Sequence, residues 1–311
     1  MLRIHNLLYP IDLSAGTNAA FPHALLLARR HHATIHMMHV ESAAIPSSVA
    51  ETVAELFADH PAEGAHGDDA DLRMREIVNE HKGGDVDIEY IHAKHVAVSK
   101  VLLMYAATAE IDLIVMDSHG RRGMRRLLVG SVADEMIRGA ACPVLIVRHR
   151  DDPVENVASG GRLMVPFDFS VHAEHALRYA RELSIVYDAP LDVVHVIDPA
   201  SHTEAYVTEV AEHGAALERL RYEASSHLQN INEGVDDAAV SVAYHVRVGF
   251  PPKEITEFAV QNDSEMIIMC SHGQTGKKSI MLGSVAENVV RHAPCAVFIA
   301  RPYGKSLLRH G

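Results

Sequence analysis

The chain has 311 residues, 48% of them apolar and 22% charged, which is typical of a globular protein and long enough for two domains. Its formal net charge of −13 argues against general binding to nucleic acids or anionic membranes, since such binding needs a basic surface. The three cysteines lack paired spacing, and there is neither a signal-like start nor a run of about 18 apolar residues, so we expect a cytoplasmic protein without a membrane span.

Strands and helices alternate along the first half of the chain. Short apolar runs predict buried strands, and longer amphipathic stretches predict helices. In chain order we predict a strand at 4–9, a helix at 18–31, a strand at 34–40, a helical stretch at 49–82 with a Gly- and Asp-rich interruption at 61–69, a strand at 86–92, a helix at 96–109, a strand at 111–117, a helix at 131–140 and a strand at 143–148.

The second half of the chain repeats the first. LLYPIDLS (7–14) recurs as LMVPFDFS (163–170), and residues 118–148 match residues 271–301 at 14 of 31 positions. This similarity is too high for two unrelated amphipathic segments, so we predict a tandem duplication. The predicted segments are a first domain at 1–149, a linker at 150–160 and a second domain at 161–303.

The predicted elements of the second half follow the same order. They are strands at 162–166, 191–197, 239–248, 265–270 and 296–301, and helices at 171–187, 204–232, 252–262 and 284–292. Apolar strands that alternate with amphipathic helices predict an α/β fold, here two Rossmann-like domains, each with a parallel sheet covered on both faces. Ligands of such folds bind beyond the carboxyl ends of the strands, so we expect one pocket per domain there.

The loops after the strands carry matching residues in the two halves. These are Asp12 and Asp168 after the first strand, Val40 and Val196 at the end of the second, and Gly130-Ser131 and Gly283-Ser284 before the last helix. Backbone N–H groups at a helix start are unpaired and the helix dipole favours an anion there, so each Gly-Ser pair is a candidate phosphate site. A turn followed by an N-cap is the alternative, but two copies at the same spacing favour the phosphate site.

Other motifs are incomplete. GQTGKKS (273–279) has too few residues between its glycines for a P-loop, and neither GxGxxG after the first strand nor GxSxG is present. The histidines of HHATIHMMH (31–39) fall on a helix end and on alternating faces of a strand, which argues against a convergent metal site. Cys142 and Cys295 enter the last strand of each half and are predicted to be buried core residues.

The motifs YPIDLS, MMHV, SHG with nine residues before GS, and CPVLIV resemble those of the universal stress protein family, and the whole chain resembles its tandem two-domain members. The resemblance implies a five-stranded parallel sheet in each domain. It also implies a Gly-x-x-Gly, nine residues, Gly-Ser/Thr motif, which belongs to an ATP-binding branch. The cofactor-binding positions that it implies are Asp12, Val40, Gly120, Gly130 and Ser131 in the first half, and Pro166, Asp168, Val196, Met269, Cys270, Gly273, Gly283, Ser284 and Val285 in the second.

Both halves depart from that motif at its first glycine, which is Asp117 in the first half and Cys270 in the second. Cysteine is small and uncharged, whereas an aspartate near a polyphosphate costs up to ~4 kcal/mol for each pair of unit charges about 4 Å apart. The four arginines from Arg121 to Arg126 either offset this charge, clamp phosphates or form a solvated face, and Asp117 accepting ribose hydroxyls is a further alternative. We therefore expect the second half to hold the better nucleotide site.

The resemblance implies a regulator or interaction module of the stress response that binds ATP or a related adenine nucleotide, with or without Mg²⁺. No base, metal triad or water-positioning residue is evident, so we expect no enzyme activity beyond slow ATP hydrolysis. The alternative is an interaction protein with two degenerate sites. A third class, an adenylating enzyme, is disfavoured because the SGG turn of this chain (159–161) lies in the predicted linker before a strand. The last strands are expected at sheet edges, and the resemblance implies that they pair, within the chain or in a homodimer.

Overall fold

A computed structural model describes residues 2–13, 18–42, 65–118, 129–148, 161–202, 213–231, 240–272 and 282–308, without the side chains of 65–68, 201–202 and 213–216. The chain divides into two compact units. The first domain is Arg3–Glu155, and the second domain is Asn156–Gly311 together with Met1–Leu2. The predicted linker at 150–160 lies outside the described residues.

The first domain is an α/β unit with a parallel sheet. Its described elements are β1 (Asn6–Ile11), α1 (Phe21–His31), β2 (Thr34–Ser42), α2 (Ala65–Glu80), β3 (Ile88–His95), α3 (Val98–Thr108), β4 (Leu113–Asp117), α4 (Ser131–Gly139) and β5 (Val144–Val147). The strands pair in parallel in the order β3-β2-β1-β4-β5. The order reverses between β1 and β4, which is where ligands bind in open sheets of this kind.

The second domain repeats this architecture. Its described elements are β6 (Arg162–Pro166), α5 (Val171–Tyr187), β7 (Leu191–Ile197), a 3₁₀ turn (Pro199–His202), α6 (His213–Asn230), β8 (Val242–Val248), α7 (Pro251–Gln261), β9 (Ser264–Cys270), α8 (Ser284–His292) and β10 (Ala296–Ala300). The strands pair in parallel in the order β10-β9-β6-β7-β8, so the predicted α/β fold with a parallel sheet in each half is confirmed.

The inner strands β1, β4 and β9 are rich in buried apolar residues because helices cover both faces of each sheet. The strands β3 and β8, each at one end of its domain's strand order, carry polar and charged residues and are mostly half-buried. In β1, Leu7, Leu8 and Tyr9 are all fully buried, although neighbouring side chains of a strand point to opposite faces. The last helix of each domain is amphipathic instead, and α4 buries Met136 and Ile137 while Arg138 is half-exposed. Within the described segments, no helix is both long and apolar enough to cross a membrane.

In the described part of the chain, two predicted helix boundaries differ from the structure by three residues or more. The helix predicted at 18–31 begins only at Phe21, because Pro22 lacks an N–H and fits only the first turn of a helix. The predicted interruption at 61–69 is wrong in its second part, since α2 is already helical from Ala65; residues 61–64 lie outside the described residues.

Candidate functional site

The carboxyl ends of three adjacent strands meet at one edge of each sheet. In the second domain β6 pairs with both β9 and β7. Because the strands are parallel, Cys270 at the end of β9, Asp168 after β6 and Val196 in β7 lie at the same edge. Their counterparts at the edge of the first sheet are Asp117, Asp12 and Val40.

The starts of α4 and α8 have the same backbone geometry. Gly130 has φ −64° and ψ 153°, and Gly283 has φ −62° and ψ 148°. The N–H of Gly130 donates to the carbonyl oxygen of Ser118, directly after β4, and the N–H of Gly283 donates to that of Ser271, directly after β9. The distance is 2.8 Å in both domains. In each domain this hydrogen bond joins the residue after the strand, Ser118 or Ser271, to the N-cap of the following helix.

No side chain of the described residues caps either helix start. Ser131 and Ser284, the first residues of the two helices, are exposed, and the next two N–H groups follow in the first turn. Unpaired N–H groups at the positive end of a helix dipole can accept an anion. Each domain therefore presents a set of backbone donors at the carboxyl edge of its sheet.

Asp168 holds the turn that leads into α5. Its Oδ1 accepts hydrogen bonds from the N–H of Ser170 at 3.1 Å and from its hydroxyl at 2.6 Å. The Ser170 hydroxyl oxygen in turn accepts from the N–H of Ala173 at 3.1 Å and caps the helix. The residue between them, Phe169, has φ +62°, a left-handed conformation that a non-glycine residue adopts only when its surroundings hold it.

A histidine in each domain ties the second strand to the first. His39 Nδ1 lies 2.9 Å from the carbonyl oxygen of Ile11, and His195 Nδ1 lies 2.7 Å from that of Phe167. Because a carbonyl only accepts, Nδ1 carries the proton in both. Each of these histidines precedes the valine at the end of the second strand, but no role in the site was predicted for them from the sequence. Their recurrence before valine in both halves is the signal that could have identified them.

An aromatic group covers this edge in the second domain. The ring centroid of Phe169 lies 4.6 Å from that of His195, 5.4 Å from that of Phe167 and 5.8 Å from that of His227 in α6. The first domain has Leu13 at the position of Phe169, with φ +57°. The two sites therefore share a backbone but differ in the side chain beside the second strand.

Asp117 is bound to the start of α1. Its Oδ1 accepts the N–H of Ala20 at 3.0 Å, and the hydroxyl of the fully buried Tyr9 lies 3.4 Å from its Oδ2. Burial raises the pKa of this carboxyl to about 8, although the hydrogen bonds from Ala20 and Tyr9 lower it in part. A carboxyl with this pKa is mostly protonated at pH 7, which weakens the repulsion of phosphates that is expected from an ionised Asp117.

Cys270 occupies the equivalent position in the second domain and is buried. Its thiol donates to the carbonyl oxygen of His172 in the first turn of α5 at 3.0 Å. Burial raises the pKa of the Cys270 thiol to about 12. Val171, where α5 begins, aligns with Ala15 in the repeat, so α5 starts six residues earlier than α1. Cys270 therefore lies beside a helical turn, whereas Asp117 binds the N–H of Ala20 just before α1.

We expect the Cys270 thiol to be unreactive in the folded protein. With a pKa of about 12, about one thiol in ten thousand is ionised at pH 8, and the thiolate is the nucleophile. Iodoacetamide at pH 8, followed by peptide mass mapping, should leave Cys270 unmodified in the native chain and modify it in urea. Cys142 and Cys295, also buried, serve as internal controls. Rapid labelling of native Cys270 alone would contradict this.

The remaining predicted contact residues lie at the same edges or outside the described part. Pro166 ends β6, and Met269 in β9 is buried. Val285 follows Ser284 in α8 and is half-buried. Gly120, Gly273 and the arginines from Arg121 to Arg126 lie outside the described residues.

The histidines of 31–39 do not converge. His36 is buried, and its Nδ1 lies 2.7 Å from the hydroxyl of Tyr105 in α3, while His39 faces the carbonyl oxygen of Ile11. Burial lowers the pKa of His36. Among the described residues, no group of three or more metal-ligating side chains is found.

Comparison with known proteins gives the same family twice along the chain. The model described as "Universal stress protein family" matches residues 3–148 and again residues 161–301. A universal stress protein of Mycolicibacterium smegmatis is 26% identical over 305 residues, which covers 96% of this chain and 97% of that protein. One from Methanocaldococcus jannaschii is 29% identical over 152 residues, which covers 45% of this chain and 94% of that protein.

Solved structures share the fold over almost the whole chain. A protein of unknown function from Pseudomonas aeruginosa superposes with a TM-score of 0.68 at 15% identity, covering 96% of this chain and 93% of its own. A universal stress protein from Archaeoglobus fulgidus gives a TM-score of 0.66 at 20% identity, covering 95% and 98%. At these identities the likeness concerns the fold alone, but the family match spans most of both halves. The chain therefore belongs to the universal stress protein family.

Proposed function

We propose that the second domain binds ATP or a related adenine nucleotide and that the protein is a cytoplasmic, ligand-dependent regulator or interaction module of a stress response. The observation that carries this proposal is the uncapped start of α8 at the carboxyl edge of the sheet. In the same domain the strand order brings Asp168, Val196 and Cys270 to that edge. A phosphate group needs such donors, and a base needs an apolar surface beside them.

In this proposal the phosphates accept hydrogen bonds from the N–H groups at the start of α8 and from the hydroxyl of Ser284. The base lies against Val196, which the family resemblance places beside the adenine, and Met269 is a further cofactor-binding position that the resemblance implies. Asp168 is held by Ser170 and so offers an oriented carboxylate beside the base or the ribose. Mg²⁺ would arrive with the triphosphate, as it does with free ATP.

The first domain is proposed to be the weaker site. Its motif position carries Asp117, whose side chain is larger than glycine and is engaged with Ala20 and Tyr9. The second domain has the smaller Cys270 there, next to an α5 that starts earlier. The difference between the domains is thus one of shape more than of charge, because Asp117 is mostly neutral at pH 7.

Replacing Gly283 with glutamate is the direct test. The backbone at Gly283 has an ordinary negative φ, so its conformation suits a residue with a side chain, and a carboxylate there would occupy the helix start and repel phosphate. We expect wild-type protein to bind Mg-ATP at one site per chain in calorimetry, and Gly283→Glu to bind at least about tenfold more weakly.

The matched control is Gly130→Glu, which makes the same change at the same geometry in the first domain. It should leave the strong site unchanged. Equal binding by Gly283→Glu and wild type would refute the assignment to the second domain. Loss of binding in Gly130→Glu alone would move the site to the first domain.

A second candidate function is an interaction module without a nucleotide. The engaged carboxyl of Asp117 favours it for the first domain, because that position no longer resembles the ATP-binding motif. A protein that releases no nucleotide on denaturation and shows no thermal shift with millimolar Mg-ATP would support it.

We also propose that the apolar last strands β5 and β10 pair, within the chain or in a homodimer. Sedimentation tests whether a homodimer forms.

A further inference from the structure

The segment that follows β10 leaves the sheet at the candidate ligand edge. Ala300 of β10 lies beside Cys270 of β9, so Arg301 and the residues after it emerge where β9 ends. Tyr303 then turns onto the first turn of α5. Its ring centroid lies 5.5 Å from that of His172 in an edge-to-face arrangement, and its hydroxyl is 3.4 Å from His172 Nε2.

The same segment continues along α5. The N–H of Leu307 donates to the hydroxyl of the fully buried Tyr179 at 2.9 Å, and Leu307 itself is buried. Leu308 forms an antiparallel bridge with Leu2, whose N–H donates to Glu182 Oε2 at 3.1 Å. From His172 to Glu182 these contacts extend over about 15 Å of the helix, at ~1.5 Å per residue.

The first of these contacts, Tyr303 on His172, is linked to the proposed site by a single hydrogen bond. The carbonyl oxygen of His172 accepts the thiol of Cys270, which stands at the first position of the glycine motif. His172 also follows Ser170, the N-cap that Asp168 holds, by two residues. The ring of Tyr303 therefore packs on the residue that joins both site residues to α5.

We propose that residues 301–308 form a clasp that holds the start of α5 and thereby positions Asp168 and Cys270 for the nucleotide. The proposal rests on the proposed function of the second domain. A helix start that is already fixed loses less conformational freedom when a ligand binds beside it, and the affinity rises accordingly. Tyr303 is a positioning residue in this account, because it acts on the site through His172.

Tyr303→Ala in the full chain tests the clasp. Tyr303 is 58% exposed, so its removal should not prevent folding. We expect the Kd for Mg-ATP to rise roughly three- to tenfold, the size of the loss of one aromatic contact. Amide hydrogen exchange at 171–176 should accelerate in the same variant without ligand, while the midpoint of thermal unfolding stays close to that of wild type.

Two further variants separate positioning from general destabilisation. Tyr303→Phe keeps the ring on His172 and should retain wild-type affinity and exchange. Tyr222→Ala removes a tyrosine of α6 that is 76% exposed, and it should change neither. A Kd and an exchange pattern of Tyr303→Ala that equal those of wild type would overturn the clasp, as would equal losses in Tyr222→Ala.

Failure of the proposed function gives a different result. Wild-type protein that binds no Mg-ATP would refute nucleotide binding. Hydrogen exchange at 171–176 would then decide alone whether the clasp holds α5: faster exchange in Tyr303→Ala supports it, and unchanged exchange overturns it.

Discussion

Replacing Arg162 with methionine should lower the free energy of unfolding of the second domain by about 2–4 kcal/mol. Asp192 in β7 is fully buried, and Arg162 in β6 binds it with two hydrogen bonds of 2.7 Å. His245 in β8 adds a third bond, with its Nε2 2.9 Å from Asp192 Oδ1. Methionine fills most of the space but leaves a buried carboxylate with one partner.

The direction of the Asp192 pKa supports this expectation. Burial alone would raise the pKa, but hydrogen bonds from Arg162 and His245 outweigh burial and hold the pKa below its ordinary value. The ionised carboxylate is therefore the form that the folded state prefers. Its contribution is present above the unfolded-state pKa and is lost as the pH falls through the folded-state pKa.

Urea unfolding at pH 7 measures the effect. Circular dichroism is the suitable probe, since the chain has no tryptophan. Arg29→Met is the control on an exposed surface, because Arg29 makes the same two-bond contact with Asp85, at 2.8 Å and 2.8 Å. Arg29 also donates to the carbonyl oxygen of Lys82 at 2.6 Å, so the control removes one bond more than Arg162→Met does. That variant should lose much less stability than Arg162→Met, because exposed ion pairs contribute little to the free energy of unfolding. Equal losses in the two variants would show that burial of Asp192 has no special cost.

Asp117 should make the stability of the first domain depend on pH with the opposite sign. The pKa of the carboxyl rises from an ordinary value of 3.8 to about 8 on folding, so between these values the folded chain holds one extra proton. Its stabilising effect is complete below the unfolded-state pKa and is lost as the pH rises through about 8. Asp117 by itself should lower the free energy of unfolding by up to about 1.4 kcal/mol per pH unit in this window.

Several groups around Asp117 decide how steep this fall is. Among the described residues, Asp12 raises its pKa further, whereas the N–H groups of Ala19 and Ala20 and the hydroxyl of Tyr9 lower it. Burial lowers the pKa of His23, in the first turn of α1, to about 4. Between about pH 4 and the ordinary value of 6.5 the unfolded chain therefore binds a proton there that the folded chain does not, which opposes the fall due to Asp117; above pH 6.5 His23 no longer opposes it. β5 contributes Val147 beside Asp117, which carries no charge.

Asp117→Asn tests this prediction, because asparagine keeps the oxygen that accepts the Ala20 N–H and cannot ionise. In urea unfolding at pH 5, 6, 7 and 8, the free energy of unfolding of wild type relative to that of Asp117→Asn should fall as the pH rises, since the effect of His23 is common to both proteins and cancels. Asp134→Asn removes a half-exposed carboxylate that pairs with Arg138 at 3.0 Å, and it should keep the wild-type pH dependence. Parallel curves for wild type and Asp117→Asn would contradict a protonated Asp117, and the carboxyl carbon resonance in NMR reports the same titration directly.

Local patterns were sufficient for the elements and their order. The helices α5 and α8 and the strands β6 and β7 have the bounds that the sequence predicts. The spacing of apolar residues and the positions of turn residues determine such bounds, and both depend only on residues close in sequence. The duplication was also evident, since aligned residues repeat along the chain. The start of α1 was missed by three residues, and Pro22 was the overlooked signal.

What the sequence by itself determined is therefore the tandem α/β architecture, the family and the positions of the glycine motifs. Only the tertiary structure decided what the side chains there do: Asp117 meets Ala20 across 97 residues, and Tyr303 meets His172 across 131. Whether a carboxyl is ionised depends on every atom that replaces water around it. Those atoms come from distant parts of the chain, so the residues next to Asp117 or Tyr303 in the sequence do not predict them.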